Sequence, residues 1–475
     1  MATISSIGVG SGLDAEAIIT KLLQIERQPI NQLQTAASTI EAKISSFGKI
    51  QSYLDALNSA SDTLRSATTW KATTASSSDT GAVSATSSDG SAAGSYSVSV
   101  TQLAKAQMTA SASLGSKTST VGAGTLSFDI GTWNADQTSF TASGSTVTID
   151  IDADDTLEDV RNKINANDDV GVTASIVSDA NGARLVFQSA ASGKANGFRI
   201  GVTDDDGEDA DAAGLSRLAF DPASGSSQMT RTQAAQNAAG TINGLAVESD
   251  TNTFDDVIDG VSLTFSAPTT SPATVTVASN TESMKTAVTN FVNAYNTLQG
   301  YIKDQTKYVQ GAKSGSTLQG DRTAIGLQLQ LRGLLGGSSS ASAALLRASD
   351  VGLDVQKDGT IKVVTAKLTQ ALSDPAELGR FFNADGATAA ADGLAERVAN
   401  LADNWLDTEG SLTSRQDGLK RLLDVNADRQ DAMETRLLAT EKRLRAQYSA
   451  LDTKMAGLTN LNQYISQQIT NWNKS

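Results

Sequence analysis

The chain contains no cysteine and no histidine. The first absence excludes disulfides and thiolate metal sites. The second removes the imidazole that Ser-His-Asp and Cys-His catalysts depend on, the commonest zinc ligand and the usual neutral-pH general base. Aromatic residues make up 5% of the 475 positions, so small cores are expected rather than large ones. Proline is almost as scarce: Pro29 is the only one before Pro222, and it is expected to end one helix or begin the next. Positive charge is in deficit, and a formal net charge of -15 argues against a nucleic acid or an anionic membrane as partner. No apolar run approaches the roughly 20 residues that a membrane helix needs. Met1 to Gly12 is mostly small and polar, and the first basic residue is Lys21. No secretory signal is therefore expected, and any export should use a route that reads no cleaved leader.

What the chain does have is a seven-residue period at both ends. Leu437, Leu444, Leu451, Leu458, Ile465 and Trp472 recur every seventh position, with Met433, Tyr448, Met455, Leu461 and Ile469 as a second row. Leu33, Ile40, Phe47 and Leu54 repeat in the same way near the other end, beside Ile44, Ile50, Leu57 and Leu64. A sustained heptad marks a helix that packs along one seam against another helix. The two ends are expected to pair with each other or with other copies of the chain, as in an assembling structural subunit. Heptad spacing leaves both intrachain and intermolecular packing open, and ring size is set by interface angles that the heptad does not encode.

Between the ends the period changes. Asp14 is placed to cap a helix carrying Ile18, Ile19, Leu22, Leu23 and Ile25, and a long helix should run from about 31 to 68. Short alternating runs then predict strands, among them Tyr96–Val98–Val100, Leu126–Phe128–Ile130, Val147–Ile149–Ile151, Leu185–Phe187, Val261–Leu263–Phe265 and Val275–Val277. One helix capped by Thr156 interrupts them. Helices return at Thr281, read as a cap, around one hairpin with Asp358-Gly359 at its turn. The last helix, from about 412 to 472, would reach roughly 90 Å. The β-rich block is thus an insertion carried on helices.

Four segments resemble functional loops, and none completes one. Gly8-Val-Gly10-Ser-Gly12 lacks the preceding strand and the spacing of a dinucleotide loop. Gly315 to Thr323 puts Asp321 where a phosphate loop needs lysine. Asp204 to Asp209 fails at both anchors of a calcium loop and reads as a solvated acidic loop. Ser46 and Lys49 match SxxK but lie in the heptad helix, where a surface serine and lysine are expected. No catalytic, cofactor-binding or metal-binding residue is assigned, and an enzyme is not expected.

Longer patterns are similar to those of one family. Gly8 to Asp14 with Ile18, Leu22, Glu26 and Pro29, the stretch Ser95 to Gln107, residues 156–188, Ile242-Asn243-Gly244 with Gly260-Val261, Leu318 to Arg322, Val351 to Gly359 and the C-terminal LDTKMAGLTNLNQYISQQ resemble the bacterial flagellar cap proteins, or hook-associated protein 2. Phe291-Val-Asn293-Ala-Tyr295-Asn296 is the most specific match, and residues 108–235 match least. The resemblance implies an α+β multidomain fold: a coiled-coil stalk from both termini, a helical-bundle domain and inserted β-rich head domains. The boundaries it suggests are 1–45 and 430–475 for the legs, 46–75 and 281–429 for the bundle, 76–107 and 236–280 for one head domain, and 108–235 for the other, which holds one helix. It implies a secreted protein of the flagellar tip, exported through the flagellar type III channel, that forms a homo-oligomeric ring, a pentamer. The ring would retain flagellin and promote its folding and insertion. Hook-associated junction proteins and an export chaperone are implied as further partners. Contacts with the oligomer or filament are expected along Leu13, Ile18, Leu22, Leu33, Ile40, Phe47, Leu54, Leu437, Leu444, Leu451, Leu458 and Ile465, with Gly12, Asp14, Phe291, Asn293, Tyr295 and Asn296 as family-motif residues. A hook–filament junction protein, a flagellin and a surface adhesin are the alternatives.

Overall fold

The computed structural model describes residues 14–308, 310 and 315–473; Trp472 is described by its backbone alone. Gly8, Gly10, Gly12 and Leu13 therefore lie outside the described residues. In chain order the helices are α1 (Ala15–Glu26), α2 (Gln28–Arg65), α3 (Ala67–Lys71), α4 (Leu157–Asn165), α5 (Thr281–Thr306), α6 (Arg322–Gly336), α7 (Thr365–Ala371), α8 (Pro375–Asn383), α9 (Leu394–Leu406) and α10 (Ser411–Trp472). The chain divides into two compact units, one from residues 1–70 and 282–475, the other from 71–281.

The first unit is helical, apart from one hairpin. Asp14 caps α1 by accepting from the Ala17 N–H at 2.9 Å, and Pro29 sits in the first turn of α2, where its missing N–H costs no hydrogen bond. Phe47, Ile50, Leu54, Leu57 and Leu64 of α2 are fully buried, as are Phe291, Tyr295 and Leu298 of α5 and Val398 and Ala402 of α9. Spacings of three, four and seven put each set on one helix face. Trp70 stacks on Phe382 of α8 with ring centroids 5.3 Å apart, and Phe291 meets the same ring edge-on at 6.5 Å. Gly379 makes this approach possible, because a Cβ there would lie 2.9 Å from Trp70 Cγ.

Two expectations about this unit are corrected. Helix α5 starts at Thr281 itself, so Thr281 is not its cap. Ser46 is not a surface residue: it is buried and donates to Gln305 Oε1 at 3.3 Å, while Lys49 lies over the Tyr301 ring at 6.0 Å. The phosphate-loop look-alike is a helix start. Asp321 accepts from the Thr323 N–H at 3.0 Å and pairs with Arg415 of α10 at 2.7 Å, which uses its carboxylate completely within the fold.

The second unit is built on antiparallel sheets over two hydrophobic cores. A five-stranded sheet runs in the order Thr73–Ser77, Ala273–Ser279, Gly94–Gln102, Ala238–Ile242, Leu245–Ser249. With a three-stranded sheet (Thr253–Ile258, Val261–Phe265, Val83–Ser87) it encloses Val83, Val98, Leu263, Phe265 and Val275. Gly124–Trp133 is the centre of a second group, pairing with Gly197–Asp204, Phe140–Ala142 and Val147–Ile151. A further four-stranded sheet (Thr230–Gln233, Met108–Ala110, Gly182–Ser189, Val172–Asp179) completes that core around Phe128, Phe187, Phe198 and Leu157. Helix α4 opens with a capping box between Thr156 and Asp159. Its Asn165 side chain then pairs with the Ala174 backbone at 2.7 and 2.8 Å. The acidic loop departs from expectation at its first residue. Asp204 is buried and accepts from the Ser216 N–H at 2.9 Å, whereas Asp205, Asp206, Glu208 and Asp209 are exposed.

Two outcomes are expected for the helical unit. Gly379→Ala forces a methyl against Trp70, and overpacking of this kind costs about 1–3 kcal/mol. The urea midpoint of the full chain, followed by tryptophan fluorescence, should fall; an unchanged midpoint would contradict the packing. Near the start of α8, Glu377 accepts from Ser342 Oγ at 2.6 Å and from the Ala344 and Ala343 N–H groups at 3.1 and 2.7 Å, and it also pairs with Arg380. The Ser342 bond, followed by Ala344, Arg380 and Ala343, holds this carboxyl at about 2 against an ordinary 4.5. Its stabilising contribution is thus present above about 4.5 and lost as pH falls toward 2. Glu377→Gln should flatten the acid limb of a stability-versus-pH curve, and an unaltered acid limb would refute the assignment.

Candidate assembly surface on the terminal helices

Helix α10 is 62 residues long and runs antiparallel to α2 and then α1. Three polar contacts fix the register: Gln416 Nε2 donates to Gln51 Oε1 at 3.1 Å, Arg27 approaches Glu434 at 3.8 Å, and Arg445 forks onto both Glu16 oxygens at 2.7 and 2.8 Å. Arg445 also pairs with Glu441 one turn earlier, at 2.9 Å. The Glu16 and Glu441 carboxylates raise the Arg445 pKa further, so the guanidinium keeps its charge at any working pH. Such an exposed pair fixes orientation more than it adds stability.

The apolar seam follows the same course and fades along it. Phe47 and Leu54 are fully buried, Ile40 and Leu33 are half-buried, and on α1 Ile19 is buried while Ile18 is half-buried and Leu22 exposed. On α10, Leu437 is 6% exposed and Leu444 half-buried, but Leu451 is 42%, Leu458 58% and Ile465 46% exposed. Every residue from 457 to 471 is exposed. Leu458, Leu461, Ile465 and Ile469 still recur at helical spacing there, so the strip outlasts the cover that the described residues provide. Beyond Arg445 the helix continues for about 40 Å at 1.5 Å per residue. Farther back, Pro29, Leu33, Ala432 and Met433 form an apolar groove of about 520 Å³ between α2 and α10, rimmed by Arg429 and Arg436. No group of three or more carboxylates among the described residues is arranged to hold a metal ion, and no described helix is long and apolar enough to cross a membrane.

A family model described as the flagellar hook-associated protein 2 N-terminus matches residues 11–107, and the model of its C-terminus matches 235–460. A flagellin hook IN motif matches 137–191. The flagellar hook-associated protein 2 of Escherichia coli K12 is 32% identical over 482 residues, covering 99% of both chains. The chain belongs to the flagellar hook-associated protein 2 family. A B-type member from Pseudomonas aeruginosa is 30% identical over 98% of this chain and 97% of its own. Among solved structures, the D1-D2-D3 domains of the Escherichia coli flagellar cap protein superpose with a TM-score of 0.62 at 30% identity, over 79% of this chain and 99% of that one. The α+β multidomain architecture with long terminal helices is the one this family has.

The most specific family motif sits in α5, away from the seam, where it grips the hairpin of residues 353–363. Phe291 and Tyr295 are fully buried. Tyr295 donates its hydroxyl to the Gly359 carbonyl at 2.9 Å, and burial pushes that phenol up to about 12. Asn296 donates to the Ile361 carbonyl at 2.8 Å and accepts from its N–H at 2.7 Å, pairing with the hairpin as another strand would. Asn293 is exposed. Sequence reasoning marked these positions without their partner, since the hairpin lies about 65 residues on. The graded seam gives a direct expectation for the free chain. Leu437→Ala should cost about 2–5 kcal/mol, and Leu458→Ala should stay within about 0.5 kcal/mol. Equal costs in denaturant titrations would mean that the seam is buried along its whole length.

Proposed function

We propose that this chain is the filament cap at the distal tip of the flagellum, an exported, oligomeric assembly factor that retains flagellin and promotes its folding and insertion. The observation that carries the reading is the apolar strip of α10 beyond Arg445. Leu451, Leu458, Leu461, Ile465 and Ile469 are all exposed on a helix whose nearer half is covered by α1 and α2. An isolated helix gains little from propensity and is held mainly by burial of an apolar face. A strip of this length calls for neighbouring subunits or the filament end to cover it. In this reading residues 1–45 and 430–475 act as legs, and Ile18, Leu22, Leu33, Ile40, Leu444, Leu451, Leu458 and Ile465 lie on the assembly surface, while Leu437 is covered within the chain. Phe47 and Leu54 hold the base of the legs to the helical unit. Ring formation, as a pentamer, together with contacts to hook-associated junction proteins and to an export chaperone, extends the reading by analogy with the family.

Two experiments test it. Antibody or dye labelling on intact flagella should give a single spot at the distal end. Label at the filament base would indicate a junction protein, label along the filament a flagellin, and no label on flagella an adhesin elsewhere. The double substitution Leu444→Asp and Leu451→Asp puts charge into the strip, and burying an unpaired charge costs several kcal/mol. Motility should be lost while the circular dichroism of the β-rich unit is unchanged; normal swimming would remove the strip from the mechanism.

A further inference from the structure

The second unit contains a polar cleft of about 340 Å³, lined by Gln102, Gln107, Trp133, Lys194, Arg231 and Gln236, with Asn237 and Glu248 beside them. A cleft of this volume is within the range of small-molecule sites. Its polar groups are unevenly satisfied. Gln102 and Gln236 each spend their Nε2 on a backbone carbonyl, of Asn237 at 2.9 Å and of Leu103 at 2.7 Å, which leaves both amide oxygens as acceptors. Glu248 accepts from Asn237 Nδ2 at 2.7 Å through one oxygen and keeps the other.

Two cations line the cleft, an exposed Lys194 and a half-buried Arg231. Neither the Arg231 guanidinium nor the Lys194 ammonium takes a hydrogen bond or an ion pair among the described residues. Arg231 is half-buried, and burial alone depresses its pKa, with no carboxylate opposing that effect. A partly desolvated guanidinium without a counter-charge is costly in a chain of net charge -15, where carboxylates outnumber bases. Two local irregularities shape the walls. The strand with Arg231 shifts register between Arg231 and Gln233, and the strand with Gln102 shifts register where it meets Ala239 and Gly240. Bulges of this kind re-aim side chains and are frequent beside binding sites.

We propose that this cleft binds an acidic sugar unit, its carboxylate held by Arg231 and Lys194 and its hydroxyls by the free oxygens of Gln102, Gln236 and Glu248. The guanidinium fork matches a carboxylate in two hydrogen bonds. The remaining acceptors, one of them charged, suit hydroxyl donors and disfavour a second anionic group. That balance selects a hydroxylated carboxylate over a phosphate or a polyanion.

The test uses the full chain titrated with N-acetylneuraminic acid, glucuronic acid, neutral galactose and acetate, read by isothermal calorimetry and by the fluorescence of a variant that keeps Trp133 as its one tryptophan. At least one acidic sugar should bind, ten-fold or more tightly than galactose and acetate. Arg231→Gln should weaken it at least ten-fold with an unchanged melting temperature, and Lys194→Gln should weaken it less. If Arg231→Gln lowers the melting temperature, Lys194→Gln and Gln236→Leu carry the test, and both must weaken binding. No binding of either acid, equal binding of galactose, or full affinity in all three variants would overturn the assignment. Acetate binding as tightly as the sugars would also overturn it, by reducing the cleft to a bare carboxylate site. A terminal sialic acid on a glycan array would distinguish a glycan ligand from the free sugar.

Discussion

The antiparallel seam between α10 and the first two helices is the contact on which the rest of this chain depends. It closes a loop of some four hundred residues, from Gln51 and Gln416 outward to Glu16 and Arg445. Without it, a helix of 62 residues with few aromatic side chains has too little burial to hold it. The helical unit also buries Phe47, Trp70 and Phe382, the last two stacked on each other. The chain can then leave this unit after Trp70 and return at Glu282, having built two separate β-cores in between.

The same seam leaves part of its own apolar face exposed. Among the described residues the first part of α10 is covered by α2 and α1 and residues 457–471 are exposed, although the apolar period runs on. The covered part sets direction, and among the described residues exposure becomes continuous only from Gly457, about three turns beyond the Arg445–Glu16 fork. Residues 457–471 are exposed among the described residues and leave an apolar face open to a partner. A gradient of burial along one helix separates a covered base from an exposed tip.

Much of this could be read from the residues. The long helices, the Asp14 and Thr156 caps, the turn at Asp358-Gly359 and most strands follow local periodicity and capping chemistry, which act over a few residues. Long-range contacts could not be read this way. Ser46 looked like a surface residue because Gln305, its partner, lies 259 positions away. Asp204 looked solvated because nothing nearby announces Ser216 as its partner. Tyr295 and Asn296 were visible as a motif, but their role as a clamp on the hairpin depends on a distant backbone. On the candidate surface, the heptad revealed which residues share a face; how far that face is covered depends on packing against α2 and α1, more than 360 positions away.

Hydrogen exchange along α10, in the free chain and in assembled caps on filament ends, tests the central claim most directly. The account requires slow exchange around Leu437 in both states, and fast exchange over 457–471 in the free chain that becomes slow on assembly. Equal, strong protection of 457–471 in the free chain would contradict it, because the strip would then already be covered without neighbours.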